Sequence, residues 1–328
     1  MNFSLTRRSL ASVAAASAVA GGLLAPFGAA QAQQRVIRIV VPFATGAVQD
    51  TVARAFNNEL GAALDASVIV ENRAGAGGTV GAAIVAKAPA DGNTLVLAAA
   101  SHHIAGHLYS KLSYDPLKDF VGVAEIGNAG YVVAASSDMK VATTAEFIRE
   151  VKAHPGKYNY ASAGNGSATH LAMASFLAKA GLQMTHIPMK STGEAVNELL
   201  AGRVQAVTSS SIGVIGLQSD ARIKALASTG KVRSPFLPQL PTAAESGLPG
   251  YDFDSWIGLL APAGTPRAEV DKIHAAFAKV VAEPAMQERL MRLGVEPRNT
   301  SQADFQKLLR ADWDAMGAVV KASGAKID

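Results

Sequence analysis

The chain has 328 residues, 49% of them hydrophobic and 17% charged, with a formal net charge of +4 and no cysteine. That size and composition describe an α/β protein of two ordinary lobes and exclude a disordered or fibrous chain. The small net charge, with no basic stripe interleaved with aromatics, excludes a nucleic-acid surface. Without cysteine there are no disulfides, thiolate nucleophiles, iron–sulfur clusters or Cys-based zinc sites, so a hydrophobic core must hold the fold.

The first 32 residues contain no acidic side chain. Arg7 and Arg8 in TRRSLA precede an Ala/Val/Leu run from Ala14 to Leu24, and the segment ends on Ala30-Gln31-Ala32, a small-x-small cleavage pattern. It reads as an export signal cleaved near Ala32, of the twin-arginine type, with a Sec signal as the rival. Gly21, Gly22 and Pro26 break the apolar run, which argues against a membrane anchor. The chain from Gln33 onward is therefore expected to be exported, periplasmic and soluble. It keeps 28 basic residues against 26 acidic ones, the two leader arginines being gone.

From there the sequence repeats one phrase: an apolar run of strand length, a few small residues, then a helical pattern. IRIVVPF (37–43) leads to TVARAFNNELGAAL (51–64), where Val52, Phe56, Leu60 and Leu64 share a helix face. SVIVENR (67–73) leads through AGAGG to TVGAAIVAKA (79–88), and NTLVLAAA (93–100) leads through Ser-His-His to a short helix. YNYAS, MTHIP and VQAVT are followed in the same way by AGNG, MKST and SSS and then by helices. Six such handovers predict a fold with largely parallel sheets, whose ligands sit outside the carboxyl ends of the strands.

Two stretches are long enough to leave one sheet and enter another: VGVAEIGNAGYVVAAS (121–136) and YDFDSWIGLLAPAG (251–264). They divide the chain into residues 33–130 and 253–328 on one lobe and 131–252 on the other, with a cleft between. The return segment is expected to carry helices over 266–282 and 301–324 around a short GVEPRN strand.

Catalytic patterns are missing. The G-x-S-x-G elbow is absent, and Ser167 in GNGSA reads as a helix N-cap with His170 bracing the first turn. There is no H-E-x-x-H, and the adjacent His102 and His103 diverge on any regular element. The loop GAGGTVG (75–81) is the one rival feature, opening a helix after a strand as a dinucleotide loop would. Its spacing is G-x-G-x-x-x-G, and the next acid, Asp91, falls in a turn, so an exported nucleotide-binding enzyme is the alternative reading. What remains is anion binding without catalysis. Helix N–H groups and hydroxyls at several loop ends can hold a carboxylate with few cations, Arg73 and Lys190 being the exceptions. No catalytic residue, metal site or cofactor is predicted.

The motifs VPFATGAVQD, ENRAGAGGTVGAAIVAKAPADGNTL, LSYDPLKDF, HPGKYNYASAGNGSATHLA, RSPFLPQLPTAAESGLPGYDFDSWIGLLAPAGTP and VVKASGAKID occur in order over residues 33–328. Together they resemble the Bug/TctC family, the extracytoplasmic solute-binding proteins of tripartite tricarboxylate transporters. The resemblance implies a two-lobed type II periplasmic-binding-protein fold, with two crossing segments and a ligand buried by hinge closure. It also implies a monomer that docks transiently on integral membrane permease subunits. The implied ligand is a small organic acid, a di- or tricarboxylate or an aromatic acid, held by main-chain N–H groups and waters. Carried onto this chain, the contacts are Thr45, Gly46, Ala47 and Asp50, then Ser101 and His102. Ser162, Gly164, Gly166, Ser167 and His170 follow, with Lys190, Ser191, Thr192, Gly193 and Ser209. Three places depart from the family pattern. Thr45-Gly46-Ala47 stands for P-G-G, Lys190-Ser191-Thr192-Gly193 for K-G-G, and Thr208-Ser209-Ser210 for F-D-N. The last removes an acidic side chain that would pair with an ammonium, so the resemblance implies a preference for acids without an amino group.

Overall fold

The computed structural model describes residues 34–325, so the leader expected over residues 1–32 lies outside the described part. Chain order runs β1 (Arg35–Val41), α1 (Val48–Leu64), β2 (Ala66–Asn72), α2 (Thr79–Ala86), β3 (Thr94–Ala99), α3 (Ser101–Leu108) and β4 (Phe120–Asn128). It continues as β5 (Tyr131–Ser136), α4 (Thr144–Ala153), β6 (Asn159–Ser162), α5 (Ala168–Ala180), β7 (Thr185–Pro188), α6 (Thr192–Leu200), β8 (Ala206–Ser210), α7 (Ser211–Ile215) and β9 (Ile223–Ser228). The return is β10 (Trp256–Pro262), α8 (Arg267–Ala282), α9 (Pro284–Arg292), β11 (Glu296–Pro297) and α10 (Gln302–Ser323).

Two sheets result, ordered β11-β4-β10-β3-β1-β2 and β7-β6-β8-β5-β9. β1 pairs in parallel with β2 and β3, and β6 pairs in parallel with β7 and β8, so the carboxyl ends of those strands lie together. β10 and β11 in the first sheet and β5 in the second run antiparallel to their neighbours, which makes both sheets mixed rather than largely parallel. The strands form for ordinary reasons. Ile37, Ile39 and Val41 alternate onto one face of β1, while central β3 and β10 are buried along their whole length, as strands covered on both faces are. On α1, Val52, Phe56, Leu60 and Leu64 make the expected apolar stripe. Phe56 meets Phe277 of α8 edge to face at 5.2 Å.

The chain crosses between the sheets after β4 and before β10. Ala129 donates its N–H to the Ser255 carbonyl at 2.9 Å, and the Asn128 amide donates to Asp254 at 2.5 Å, so the crossings are tied to each other. Burial raises the pKa of Asp254; Asn128 and the Ser255 amide act against it. The last helix touches both lobes. Gln302 and Gln306 at the start of α10 bond the backbone of Gly122 on β4, whereas Met316 and Val320 near its end join the apolar cluster around Phe176 of α5.

Candidate functional site

The first loop is organised by a carboxylate. Asp50 is buried at 2% exposure and accepts from the Gly46 N–H (2.9 Å), Asn72 Nδ2 (3.0 Å) and Arg54 Nε (2.9 Å). Burial alone would raise its pKa; the Gly46 amide, Asn72 and Arg54 together hold it below the ordinary value. Gly46 has φ +86°, the left-handed region that favours glycine, and turns its N–H inward toward Asp50. Both carboxylate oxygens are thus engaged inside the loop, and Asp50 shapes the loop without presenting a free charge. Asn72, at the end of β2, completes the arrangement. It donates to the Phe43 carbonyl and accepts from Thr45 and Arg54. Ala47 supplies no side-chain cap to α1, so the first N–H groups of that helix, from Val48 onward, stay open to a ligand.

Ser101 opens α3 directly after β3. It shares a small hollow with Pro42, Gly77, Gly78 and His102. His102 itself is committed to the lobe. Its Nε2 lies 3.0 Å from the Pro116 carbonyl, which only accepts, so Nε2 carries the proton. The ring packs against Tyr114 and Phe120, and burial drives its pKa down to about 3.

The GNGS loop of the second lobe is held by side chains at every turn. Ser167 caps α5, accepting the His170 N–H at 3.2 Å. Thr169 Oγ1 accepts the Ala163 N–H, and His170 Nδ1 accepts the Gly166 N–H at 3.1 Å. Ser162 Oγ accepts the Gly164 N–H and donates to the Gly164 carbonyl, both at 3.1 Å. The amides of Gly164 and Gly166 therefore face the protein, and those of Ala168 and Thr169 at the helix start are the ones left for an anion. Burial lowers the His170 pKa to about 4, so the ring is neutral at ordinary pH.

At the next loop Ser191 caps α6 by accepting the Glu194 N–H, and Glu194 in turn takes the Lys190 N–H at 2.9 Å. A carboxylate already stands at this helix start, leaving the Thr192 and Gly193 amides. Ser209, near the end of β8, is 1% exposed, and its hydroxyl has no hydrogen-bond partner among the described residues. It points at α7, where a side chain on Gly213 would meet it at 2.7 Å.

The structure gathers the expected residues in two groups, one on each sheet. Thr45 to Asp50 and Ser101 stand at the carboxyl ends of β1 and β3, which are neighbours. Ser162, Lys190 to Gly193 and Ser209 stand at those of β6, β7 and β8. Both edges adjoin the crossings, because Ile257 pairs with Ala99 and Tyr131 pairs with Ser210. Asn72 and His186 escaped the sequence reading. Each lies on a strand neighbouring the loop it braces, where residue type alone carries no signal. The rival nucleotide loop lacks its acid: the strand that follows its helix, β3, ends on Ala98-Ala99, and Asp91 accepts the Asn93 N–H in a turn before it.

Two α/β lobes, joined by two crossings and presenting helix starts at the carboxyl ends of their strands, define a type II periplasmic binding protein. The chain belongs to the tripartite tricarboxylate transporter receptor family, whose model matches residues 52–325. Members of that family are periplasmic solute-binding proteins rather than enzymes. A Pseudomonas sp. protein from the tcbD–tcbE intergenic region is 35% identical over 267 residues, covering 80% of this chain and 78% of its own. An R. palustris protein solved with adipate superposes with a TM-score of 0.80 at 30% identity, covering 90% of this chain and 99% of that one. MatC from Rhodopseudomonas palustris with bound malate gives 0.76 at 32% identity, covering 87% and 99%.

Proposed function

We propose that the mature chain captures a small organic acid, a di- or tricarboxylate or an aromatic acid, between its lobes and delivers it to integral permease subunits in the membrane. The supporting observation is that α1 starts without a side-chain cap at the carboxyl end of β1, and that α5 and α6 start at the carboxyl ends of β6 and β7. Several helix starts aimed at one space favour negative charge there, about 0.3–1 kcal/mol each when exposed and more when partly buried. The adipate and malate carried by two relatives support the same ligand class. In this reading Thr45, Gly46 and Ala47 line one wall with Ser101, and Ser167 and Thr192 line the other. Asp50, Ser162, His170, Lys190 and Glu194 hold those walls in shape. The oxygens of Asp50 are engaged within the first loop, so Asp50 supplies no free counter-charge for an ammonium, and glutamate and aspartate rank below acids without an amino group. Export behind the leader and cleavage near Ala32 would place the protein in the periplasm as a monomer.

The test is a thermal-shift panel on the refolded mature protein with mono-, di- and tricarboxylates, aromatic acids and acidic amino acids. A true ligand at a hundredfold excess over its Kd stabilises by about 2.7 kcal/mol. A panel in which no acid raises the melting temperature, or in which glutamate leads, refutes the reading.

A further inference from the structure

His186 lies on β7, the edge strand of the second sheet, outside every loop discussed as a ligand contact. Its Nε2 stands 2.7 Å from Ser162 Oγ. The ring is stacked on His170, centroids 3.9 Å apart and planes 10° from parallel, with Tyr160 alongside the pair, 4.9 Å from His186 and 6.3 Å from His170.

Counting valences leaves two arrangements of the protons. A serine hydroxyl donates once and accepts twice. Ser162 accepts the Gly164 N–H and has one proton for either the Gly164 carbonyl or His186 Nε2; given to the carbonyl, it leaves one acceptor site that takes a proton from His186 Nε2. His170 must keep Nδ1 bare to accept the Gly166 N–H. With the hydroxyl proton directed at the Gly164 carbonyl, both rings are neutral Nε2–H tautomers, one tied to each glycine end of the loop and clamped face to face. Burial, which lowers both pKa values to about 4, keeps both rings uncharged at neutral pH.

We propose that His186, as the Nε2–H tautomer, is a positioning residue for the anion-receiving loop, acting through Ser162 and the stack on His170 to fix where the α5 amides point; this rests on the carboxylate-receptor reading above. It touches no ligand. Through it, the edge strand sets the geometry of the neighbouring loop.

Two variants separate the bond from the ring. His186→Phe keeps a flat partner for His170 and loses the donor, while His186→Gln keeps a donor at about the Nε2 position and loses the ring. Affinity for malate and adipate is measured by calorimetry at pH 7, beside the urea midpoint. Amide exchange of Gly164 and Gly166 is followed by NMR in the ligand-free protein. The expected result is a roughly five- to tenfold weaker Kd for His186→Phe, the order of one neutral hydrogen bond, with recovery in His186→Gln. Gly164 exchange should rise in the Phe variant and return in the Gln variant. Imidazole nitrogen shifts should show Nε2–H on both rings. Equal affinity and exchange in all three proteins overturns the proposal, as does a His186 found as the Nδ1–H tautomer. If the wild type binds no carboxylate, the receptor reading fails, and the exchange and tautomer measurements still decide the role of His186.

Discussion

Asp50→Asn is the sharpest probe of the first loop, because it keeps shape and removes one proton's worth of charge. The native carboxylate receives three donors: the Gly46 amide, Asn72 and Arg54. An asparagine can face two of them with its oxygen, but its own NH2 must then point at the third. One charge-assisted bond, about 1.5–3 kcal/mol, is lost outright. The pair with half-exposed Arg54 adds no more than about 1 kcal/mol. The expected destabilisation is therefore about 2–4 kcal/mol, read from urea unfolding. Ligand affinity should fall at least tenfold, since Gly46 loses its tether. The ratio of affinities for an acid and its amino analogue should not move, because the carboxylate is engaged within the loop. If Asp50→Asn unfolds like the wild type yet selectively loses amino-acid binding, Asp50 is a ligand contact and the loop-shaping argument is wrong.

The buried histidines make stability acid-sensitive. His102, at about 3, and His170, at about 4, stay neutral while an unfolded histidine protonates near 6.5, so stability falls as pH drops below 6.5 and is present above it. At pH 5, His102 alone should account for about 2 kcal/mol; a His102→Gln protein whose urea midpoint drops just as steeply from pH 7 to 5 would contradict this. Ser209→Ala removes a buried, unpartnered hydroxyl and should stabilise by about 1 kcal/mol without altering carboxylate affinity. A clear loss of binding in that variant would place Ser209 at the ligand. Asn128→Asp sets a second carboxylate against Asp254, whose pKa burial already raises, and should lower the protection factor of the Ala129 amide relative to the wild type more at pH 7 than at pH 4. Wild-type protection at both pH values would show that this contact does not hold the crossings.

The six strand-to-helix handovers were legible because each is local: an apolar run, small residues and a stripe such as Val52, Phe56, Leu60 and Leu64. The cap at Ser167 was legible for the same reason. Helix α9 was not foreseen, because Pro284 starts it one residue after Glu283 closes α8, and no loop separates the two patterns. The expected GVEPRN strand shrinks to Glu296–Pro297, since Pro297 offers no N–H and the strand is an edge. At the site, the sequence names loops but not what braces them. Asn72 is 22 residues from Asp50 and His186 is 24 from Ser162; their pairing comes from strand order, which no local pattern encodes.

The position of β10 has a consequence for how the molecule comes into being. It lies between β3 and β4, antiparallel to both, yet follows β4 by more than a hundred residues. Until Trp256–Pro262 arrives, the first sheet has a missing rung, and the buried edges of β3 and β4 have no partner. The second sheet, by contrast, is built entirely from Tyr131–Ser228 and needs no distant strand. Its pairings close shorter loops than those of β10, so the sheet of the inserted lobe can pair before the first sheet is complete, although its core still awaits Met316 and Val320 of α10. During that interval the exposed edges of β3 and β4 are where a nascent chain is most open to misassociation, and where a holding chaperone would be needed.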